Sequence, residues 1–284
     1  MERDQYIQLK PNVWKWQVGE NEFSLKKYNE IDEAEKIRYI HEQLLLLKQS
    51  YVLPIEPYND QFVIQQPWVE NGKKVRFDSS KDREDSLNLL HKLHQTGDKF
   101  NWKKCKFLHE INLNKKWEHR LEKWLHASPF LHQHMGKTKT NRITNYAEKA
   151  IDKIKPLPSK NLTILHGDVV HHNFVRDKKG KMYLIDFDLA CIGAKEVELI
   201  LWMHRVLPHL DYEVHKLFQH HPTLHSLNKN ALQYLLFPNE LLREWLYASS
   251  LSERQLTTFL PKLKLFTEKT LRLMPNLTMD LDSM

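Results

Sequence analysis

Glycine is scarce in this sequence, at 7 of 284 residues. Because glycine adopts backbone conformations that are closed to other residues, we expect each one to mark a turn or a close approach. Cysteine is scarcer still, since Cys105 and Cys191 are the two present and no paired-cysteine motif occurs. The sequence therefore excludes a disulfide framework and a thiolate zinc site, and a reducing cytoplasm is the expected compartment.

Long apolar runs are also missing. No stretch of about 18 uncharged apolar residues occurs, although a membrane-spanning helix needs that length. The first residues, Met1 to Asp4, are mostly charged and lead into no apolar leader segment. We therefore expect a soluble protein without a membrane partner.

Positive charge exceeds negative charge, by 43 lysine and arginine residues to 36 acidic ones, but the excess is spread along the chain. Short groups such as Lys103-Lys104 are typical of a solvated surface rather than of a nucleic-acid-binding patch. We therefore expect no nucleic-acid partner, and the net charge does not decide the function.

The first seventy residues show the alternation of strands. Trp14, Trp16 and Val18 share one face of a strand, with Lys15 and Gln17 on the other. The pattern as a whole predicts strands at 14–18, 23–26 and 62–64 and a helix at 31–49. The N-terminal portion is thus expected to be a small strand, strand, helix, strand unit.

Beyond this unit the spacing is helical nearly everywhere, as at Leu87, Leu90 and Leu93. Loop signals at Asn71-Gly72 and Ser79-Ser80 separate the two portions. We therefore predict an α+β protein with a boundary between 1–69 and 70–284.

The segment 162–190 interrupts this helical texture. Its pattern predicts strands at 162–165, 174–176 and 182–185, separated by a polar loop at 166–172 and a turn at 177–180. Asp168, Asn173 and Asp186 are thereby placed at strand ends. Asn173 and Asp186 offer the oxygen ligands that a magnesium-nucleotide site needs, and Asp168 could accept the proton of an acceptor hydroxyl. The alternative is that Asp168 and Asn173 only stabilise the loop.

Two motifs in this segment suggest a family. The letters HGDVVHHN at 166–173 and LIDFD at 184–188 resemble the aminoglycoside phosphotransferase and choline kinase-like superfamily, in particular its divergent bacterial CotS-type members. The segments 89–97, 23–26 and 193–199 are similar to other parts of the family pattern, so the resemblance spans roughly 23 to 200.

The resemblance implies a protein-kinase-like fold, with a small antiparallel-sheet lobe at 1–69 and a larger helical lobe at 70–284. It places the hairpin 162–190 and an acceptor-binding region in the helical lobe. By the same resemblance Asp168 is the catalytic base, and Asn173 and Asp186 bind Mg²⁺.

The resemblance also implies that ATP binds through Lys26, which would hold the phosphates. Alternation favours Lys26 over its neighbour, because it shares a face with small Ser24. By the resemblance, Lys26 pairs with an acidic residue of the next helix, Glu42 by preference, with Glu35 left open. By the same resemblance the linker 65–70 would make backbone contacts to the adenine edge, with Gln66 and Trp68 as its nucleotide-binding residues.

The expected function is an ATP- and Mg²⁺-dependent phosphotransfer to a hydroxyl of a small molecule. The residues 8–13, where the family has its small phosphate loop, contain no glycine. The alternative is therefore a weak or inactive kinase-fold scaffold, for example in a spore coat. His171 and His172 could touch the acceptor, whose identity the sequence does not specify.

Overall fold

The computed structural model describes residues 5–70, 72–157 and 161–284. The chain forms two compact units, the first comprising Met1–Ile111 and Lys160–Lys195 and the second Asn112–Ser159 and Glu196–Met284. The segment 162–190 thus belongs to the same compact unit as the N-terminal strands. The boundary predicted after residue 69 stays a prediction. Asn71, part of the predicted loop signal, and the charged residues 1–4 lie outside the described residues.

The first unit begins with an antiparallel sheet in the order β1-β2-β3-β4. These strands are β1 (Gln5–Lys10), β2 (Val13–Val18), β3 (Asn21–Lys27) and β4 (Val63–Pro67). The predicted strands at 14–18 and 23–26 are confirmed. The interpretation of 8–13 as a loop is wrong in part, because β1 extends to Lys10 and leaves a turn at Pro11 and Asn12.

Helix α1 (Ile31–Leu46) joins β3 to β4. Acidic Asp32 and Glu33 occupy its first turn, where the helix dipole favours negative charge. The helix ends before the predicted residue 49, since Lys48 has a left-handed backbone with φ 58°. Helix α2 (Ser80–His94) begins at the predicted loop signal, because the Ser79 side chain accepts a hydrogen bond from the Asp82 amide and caps it.

The hairpin segment contributes to two further sheets. The sheet β5-β7-β8 contains β5 (Lys73–Lys74), β7 (Phe174–Arg176) and β8 (Met182–Leu184), and β6 (Thr163–Leu165) pairs with β9 (Cys191–Gly193). The three strands predicted at 162–185 are confirmed to within one residue at each end. The loop after β6 turns sharply at Gly167, where φ is +79° and an added Cβ would lie 2.0 Å from the Leu189 carbonyl oxygen.

The second unit is helical, which confirms the helical structure that the spacing of apolar residues predicted for the C-terminal portion. It contains α3 (Leu113–His126), α4 (Ser128–Met135), α5 (Lys137–Lys153), α6 (Lys195–Val206), α7 (Val214–His220), α8 (Lys229–Gln233), α9 (Asn239–Ala248) and α10 (Glu253–Ser283). Four tryptophans from three helices are fully buried in its core, namely Trp117 and Trp124 of α3, Trp202 of α6 and Trp245 of α9. In the described part of the chain, no helix combines the length and the apolar character needed to cross a membrane.

Candidate active site

A cavity of about 1240 Å³ lies within the first unit. It is lined by the β1–β4 sheet, by helix α1 and by the residues that follow β6 and β8. Small-molecule pockets typically measure about 300–1,000 Å³, so this cavity has room for a nucleotide. Five of the predicted site residues line it, namely Lys26, Gln66, Trp68, Asn173 and Asp186.

Lys26 projects into the cavity from β3. Ser24 lines the cavity on the same face, whereas Leu25, on the opposite face, is 4% exposed. The Lys26 Nζ lies 2.7 Å from Oδ1 of Asp186 and also contacts Oδ2 of Asp188. Burial alone would lower the pKa of Lys26, but the two carboxylates outweigh burial and raise it. The lysine is therefore a charged group held at the centre of the site.

Asp188 is a site residue to which the sequence assigned no role. Besides Lys26, its carboxylate accepts a hydrogen bond from the Tyr28 hydroxyl at 2.8 Å, and its carbonyl oxygen accepts one from Lys36 Nζ at 2.5 Å. Burial, followed by the charge of Asp188, raises the pKa of Tyr28, which keeps this phenol a donor. The sequence Asp-Phe-Asp at 186–188 was the feature that could have indicated Asp188 as a site residue.

Asp186 occupies an uncommon backbone conformation, with φ 67° and ψ 66°. The next residue, Phe187, is 1% exposed and packs between two histidine rings, with centroid distances of 5.3 Å to His41 and 4.7 Å to His166. The His166 Nε2 lies 2.9 Å from the Ile185 carbonyl oxygen. The left-handed residue is thus held in place by packing on one side and by a hydrogen bond on the other.

Asn173 and Asp168 are directly connected. The Asn173 Nδ2 donates to the Asp168 carbonyl oxygen at 2.9 Å and to its Oδ2 at 3.3 Å. Because the amide nitrogen faces Asp168, the Asn173 Oδ1 faces away from it. Asp168 itself is half-buried and, unlike Asn173, does not line the cavity.

Asn173 and Asp186 fit a hard cation. A carboxylate and an amide oxygen that line one cavity are the donors Mg²⁺ prefers, and it commonly completes its shell with phosphate oxygens and water. Among the described residues there is no group of three or more histidine, cysteine or carboxylate side chains that could hold a metal by themselves.

The predicted helix partner of Lys26 is not brought to it. Glu42 is exposed on α1, and the Glu35 carboxylate is bound by Arg38 at 2.7 Å. The residues of α1 that line the cavity are Ile37 and His41, four positions apart on one face. Glu42 follows His41 and lies about 100° further around the helix, so Asp188 takes the place of the expected acid.

The comparisons with known proteins agree with this geometry. A family model described as the phosphotransferase enzyme family (APH) matches residues 8–206. The chain belongs to this phosphotransferase family. Small-molecule phosphotransfer is thereby supported at the level of the family, as the sequence motifs predicted. No curated protein matches the chain, and the CotS-type branch stays a prediction.

Solved structures of phosphotransferases share the fold. An aminoglycoside phosphotransferase from Alicyclobacillus acidocaldarius is 13% identical with a TM-score of 0.65, over 99% of this chain and 93% of that one. A spectinomycin phosphotransferase, solved with ADP and spectinomycin, is 14% identical with a TM-score of 0.62, over 94% and 93%. A choline kinase from Streptococcus pneumoniae is 11% identical with a TM-score of 0.54, over 96% and 92%. The predicted α+β, protein-kinase-like fold is confirmed.

In this member of the phosphotransferase family, the linker side of the cavity is polar. The Gln66 Nε2 donates to the Leu53 carbonyl oxygen at 3.2 Å, and the buried His41 Nδ1 lies 2.8 Å from the same oxygen. Burial lowers the pKa of His41 to about 4, so this imidazole is neutral at physiological pH.

The side chain of Trp68 can contact a ligand in the cavity, whereas its backbone amide is already hydrogen-bonded. The Trp68 N–H donates to the Glu22 carbonyl oxygen at 2.8 Å, which extends the pairing of β3 and β4. The Lys15 Nζ lies 5.3 Å from the centroid of the indole ring and 2.5 Å from Oε1 of Glu22. An adenine contact at Trp68 would therefore use the ring, and the predicted backbone contact would fall to another linker residue.

Proposed function

We propose that this protein transfers the γ-phosphoryl group of ATP, with Mg²⁺, to a hydroxyl of a small molecule. The observation that carries the proposal is the convergence of Lys26, Asn173 and Asp186 on one cavity. The hydrogen bond from Asn173 to Asp168 connects a potential base directly to that set. Structural roles do not require a lysine, a carboxylate and an amide to face the same solvent-filled space.

Lys26 would bind the phosphates of ATP. Its charge is secured by Asp186 and Asp188, and a phosphate oxygen can replace one of these half-exposed partners. Asn173 and Asp186 would hold Mg²⁺, and the chemistry supplied by the ion is neutralisation of charge on the phosphate oxygens. Asp168 would orient the acceptor hydroxyl and take its proton.

The nucleotide assignment has support from related folds. The spectinomycin phosphotransferase was solved with ADP, and another structure of that enzyme contains AMP. The acceptors named for such proteins, spectinomycin and choline, are small molecules. We extend to this chain the use of a nucleotide and a small acceptor, and we leave the acceptor at the level of a hydroxyl compound. Nucleic acid and membrane partners remain outside the proposal.

Calorimetry with Mg-ATP tests the proposal. The parent protein should bind Mg-ATP, and Asp168→Asn should bind it equally well while slowing transfer, because Asp168 acts on the acceptor. Loss of nucleotide affinity in Asp168→Asn would reassign this residue. A parent protein that binds no Mg-ATP at millimolar concentration would contradict the proposal.

One observation favours the alternative of an inactive scaffold. The turn between β1 and β2 contains Pro11, which has no amide hydrogen to offer a phosphate. The absence of nucleotide binding in the calorimetry, with the fold intact by circular dichroism, would support the scaffold.

A further inference from the structure

The turn between β1 and β2 is poorly equipped to bind phosphate through its backbone. Pro11 has no N–H, and the Asn12 side-chain Nδ2 donates to the Lys27 carbonyl oxygen at 3.3 Å. The Asn12 carbonyl oxygen accepts from the Lys27 amide at 2.9 Å, so the turn is tied to β3. Glycine-rich loops bind phosphate with successive amide groups, and this turn cannot.

Lys10 is aimed at the cavity by an irregularity in β1. Neighbouring side chains of a regular strand point to opposite faces, yet Leu9 and Lys10 both line the cavity. The pairing of β1 with β2 shifts register between Gln8 and Lys10, as a β-bulge does, and bulges redirect side chains. Among the described residues, the Lys10 ammonium has no hydrogen-bond or ion-pair partner.

Lys74 reaches the same cavity from β5. It pairs with Val175 of β7 and lines the cavity, whereas its neighbour Lys73 does not. Gly72 makes this approach possible, because an added Cβ would lie 2.7 Å from Cγ1 of Val175. Within the described ranges, the Lys74 ammonium likewise has no hydrogen-bond or ion-pair partner.

The cavity thus contains two kinds of lysine. Lys15 and Lys26 are engaged by carboxylates, whereas Lys10 and Lys74 have no such partner in the described part of the chain. Cations that line a cavity without a protein counter-charge are suited to a polyanionic ligand.

The two lysines share the cavity with the candidate magnesium ligand. His172 and Asn173, which follow one another in the chain, line the same cavity as Lys10 and Lys74. The two ammonium groups therefore border the space in which phosphate oxygens would meet an ion held by Asn173.

We infer that Lys10 and Lys74 bind the phosphates of the nucleotide, one from each of two sheets, in place of the backbone amides of a glycine-rich loop. The inference rests on the proposed use of ATP and names the groups that compensate for the missing glycines. An ammonium on a flexible stem is a point charge that can follow a phosphate without close approach of the backbone. Recognition by such exposed charges weakens as salt is added.

Calorimetry with two ligands tests this inference in the full chain. Lys10→Gln and Lys74→Gln should each raise the Kd for Mg-ATP about tenfold, the usual effect of one hydrogen bond to a charged group. The Kd for adenosine, which has no phosphate, should stay within about twofold. Lys73→Gln is the matched control, because this neighbour is exposed and does not line the cavity.

The outcomes separate the inference from the proposed function. If the parent protein binds Mg-ATP and both glutamine variants bind it equally well, the inference is wrong and the function stands. Equal weakening of ATP and adenosine would also overturn it, because the lysines would then act on the base or on the fold. A parent protein that binds neither ligand would refute both. Lys74→Arg should retain most of the ATP affinity, since it restores the charge.

Discussion

The charged network of the first unit borders a cavity of about 1240 Å³, whereas that of the second unit borders a cavity of about 10 Å³. In the first, Lys26 is bound by Asp186 and Asp188. In the second, Glu240 is bound by Arg205 and Arg243. A cavity of the smaller size holds one water molecule at most, so the second network has no room for a ligand there.

Solvent exposure separates the two networks further. The side chains of Asp186 and Asp188 are 34% and 38% exposed, whereas that of Glu240 is 10% exposed. Burial lowers the pKa of Arg120, which lies in the second network, to about 10, with Glu240 opposing and Arg243 adding to the decrease. The partners of the first network can be exchanged for a ligand or for water, but those of the second cannot.

The largest expected effect is on catalysis in the first network. Asp186→Ala should lower the kcat for phosphoryl transfer by about a thousandfold or more, because charge on the phosphates loses its counterpart. The free energy of unfolding should change by less than about 1 kcal/mol, since the pair is half-exposed. ADP formation with an acceptor found by screening hydroxyl compounds measures the first value, and urea unfolding the second. Turnover equal to that of the parent would refute the assignment.

The second network should show the reverse behaviour. Glu240→Gln should lower the free energy of unfolding by about 3–5 kcal/mol, because it removes the carboxylate charge that Arg205, whose side chain is 15% exposed, faces in the fold. Urea unfolding measures the loss. Glu244→Gln is the matched control, since Glu244 also binds Arg243 but is 25% exposed, and its loss should stay below about 1 kcal/mol. Equal losses in the two variants would remove the distinction between the networks.

Acid should weaken both units through one buried histidine each. Burial lowers the pKa of His41 and of His204 to about 4, from 6.5. The unfolded chain binds protons below pH 6.5 and the folded chain does not, so stability is complete above pH 6.5 and falls as the pH decreases towards 4. Each histidine should contribute a loss of about 2 kcal/mol between pH 7 and pH 5.

Urea unfolding of His41→Gln and His204→Gln at both pH values measures these contributions. Each variant should show a difference between pH 7 and pH 5 that is about 2 kcal/mol smaller than that of the parent. An unchanged difference would mean that the histidine becomes protonated without unfolding.

The sequence predicted the parts of this structure that depend on local pattern. Strands β2 and β3 alternate apolar and polar side chains in the sequence, as in Trp14 and Trp16 with Lys15 and Gln17, and the hairpin strands are bounded by polar loops. Strand β1 was missed because its alternation of Ile7 and Leu9 with Gln8 and Lys10 is short, and none of its residues is buried to mark a core face. Strand β5 has two residues and depends on β7, about a hundred positions further along the chain.

The candidate site was likewise predicted where it depends on a local sequence pattern. Asp168, Asn173 and Asp186 belong to a short motif, and the structure brings Asn173 to both Asp168 and the cavity that Asp186 lines. The helix partner of Lys26 depends on the rotation of α1 about its axis, which packing decides. A rotation by one position exchanges His41 for Glu42 at the cavity, and the sequence alone does not set it.

The smallest expected effect is the removal of one charge from the first network. Asp188→Asn should lower the free energy of unfolding by about 1 kcal/mol or less, because the side chain is 38% exposed and Lys26 retains its ion pair with Asp186. The amide oxygen can still accept from the Tyr28 hydroxyl, and the carbonyl bound by Lys36 is unchanged. Urea unfolding beside Glu240→Gln gives the direct comparison. A loss of about 3 kcal/mol for Asp188→Asn would show that both networks are closed structural clusters, and Lys26 would then be too firmly held to exchange a partner for phosphate.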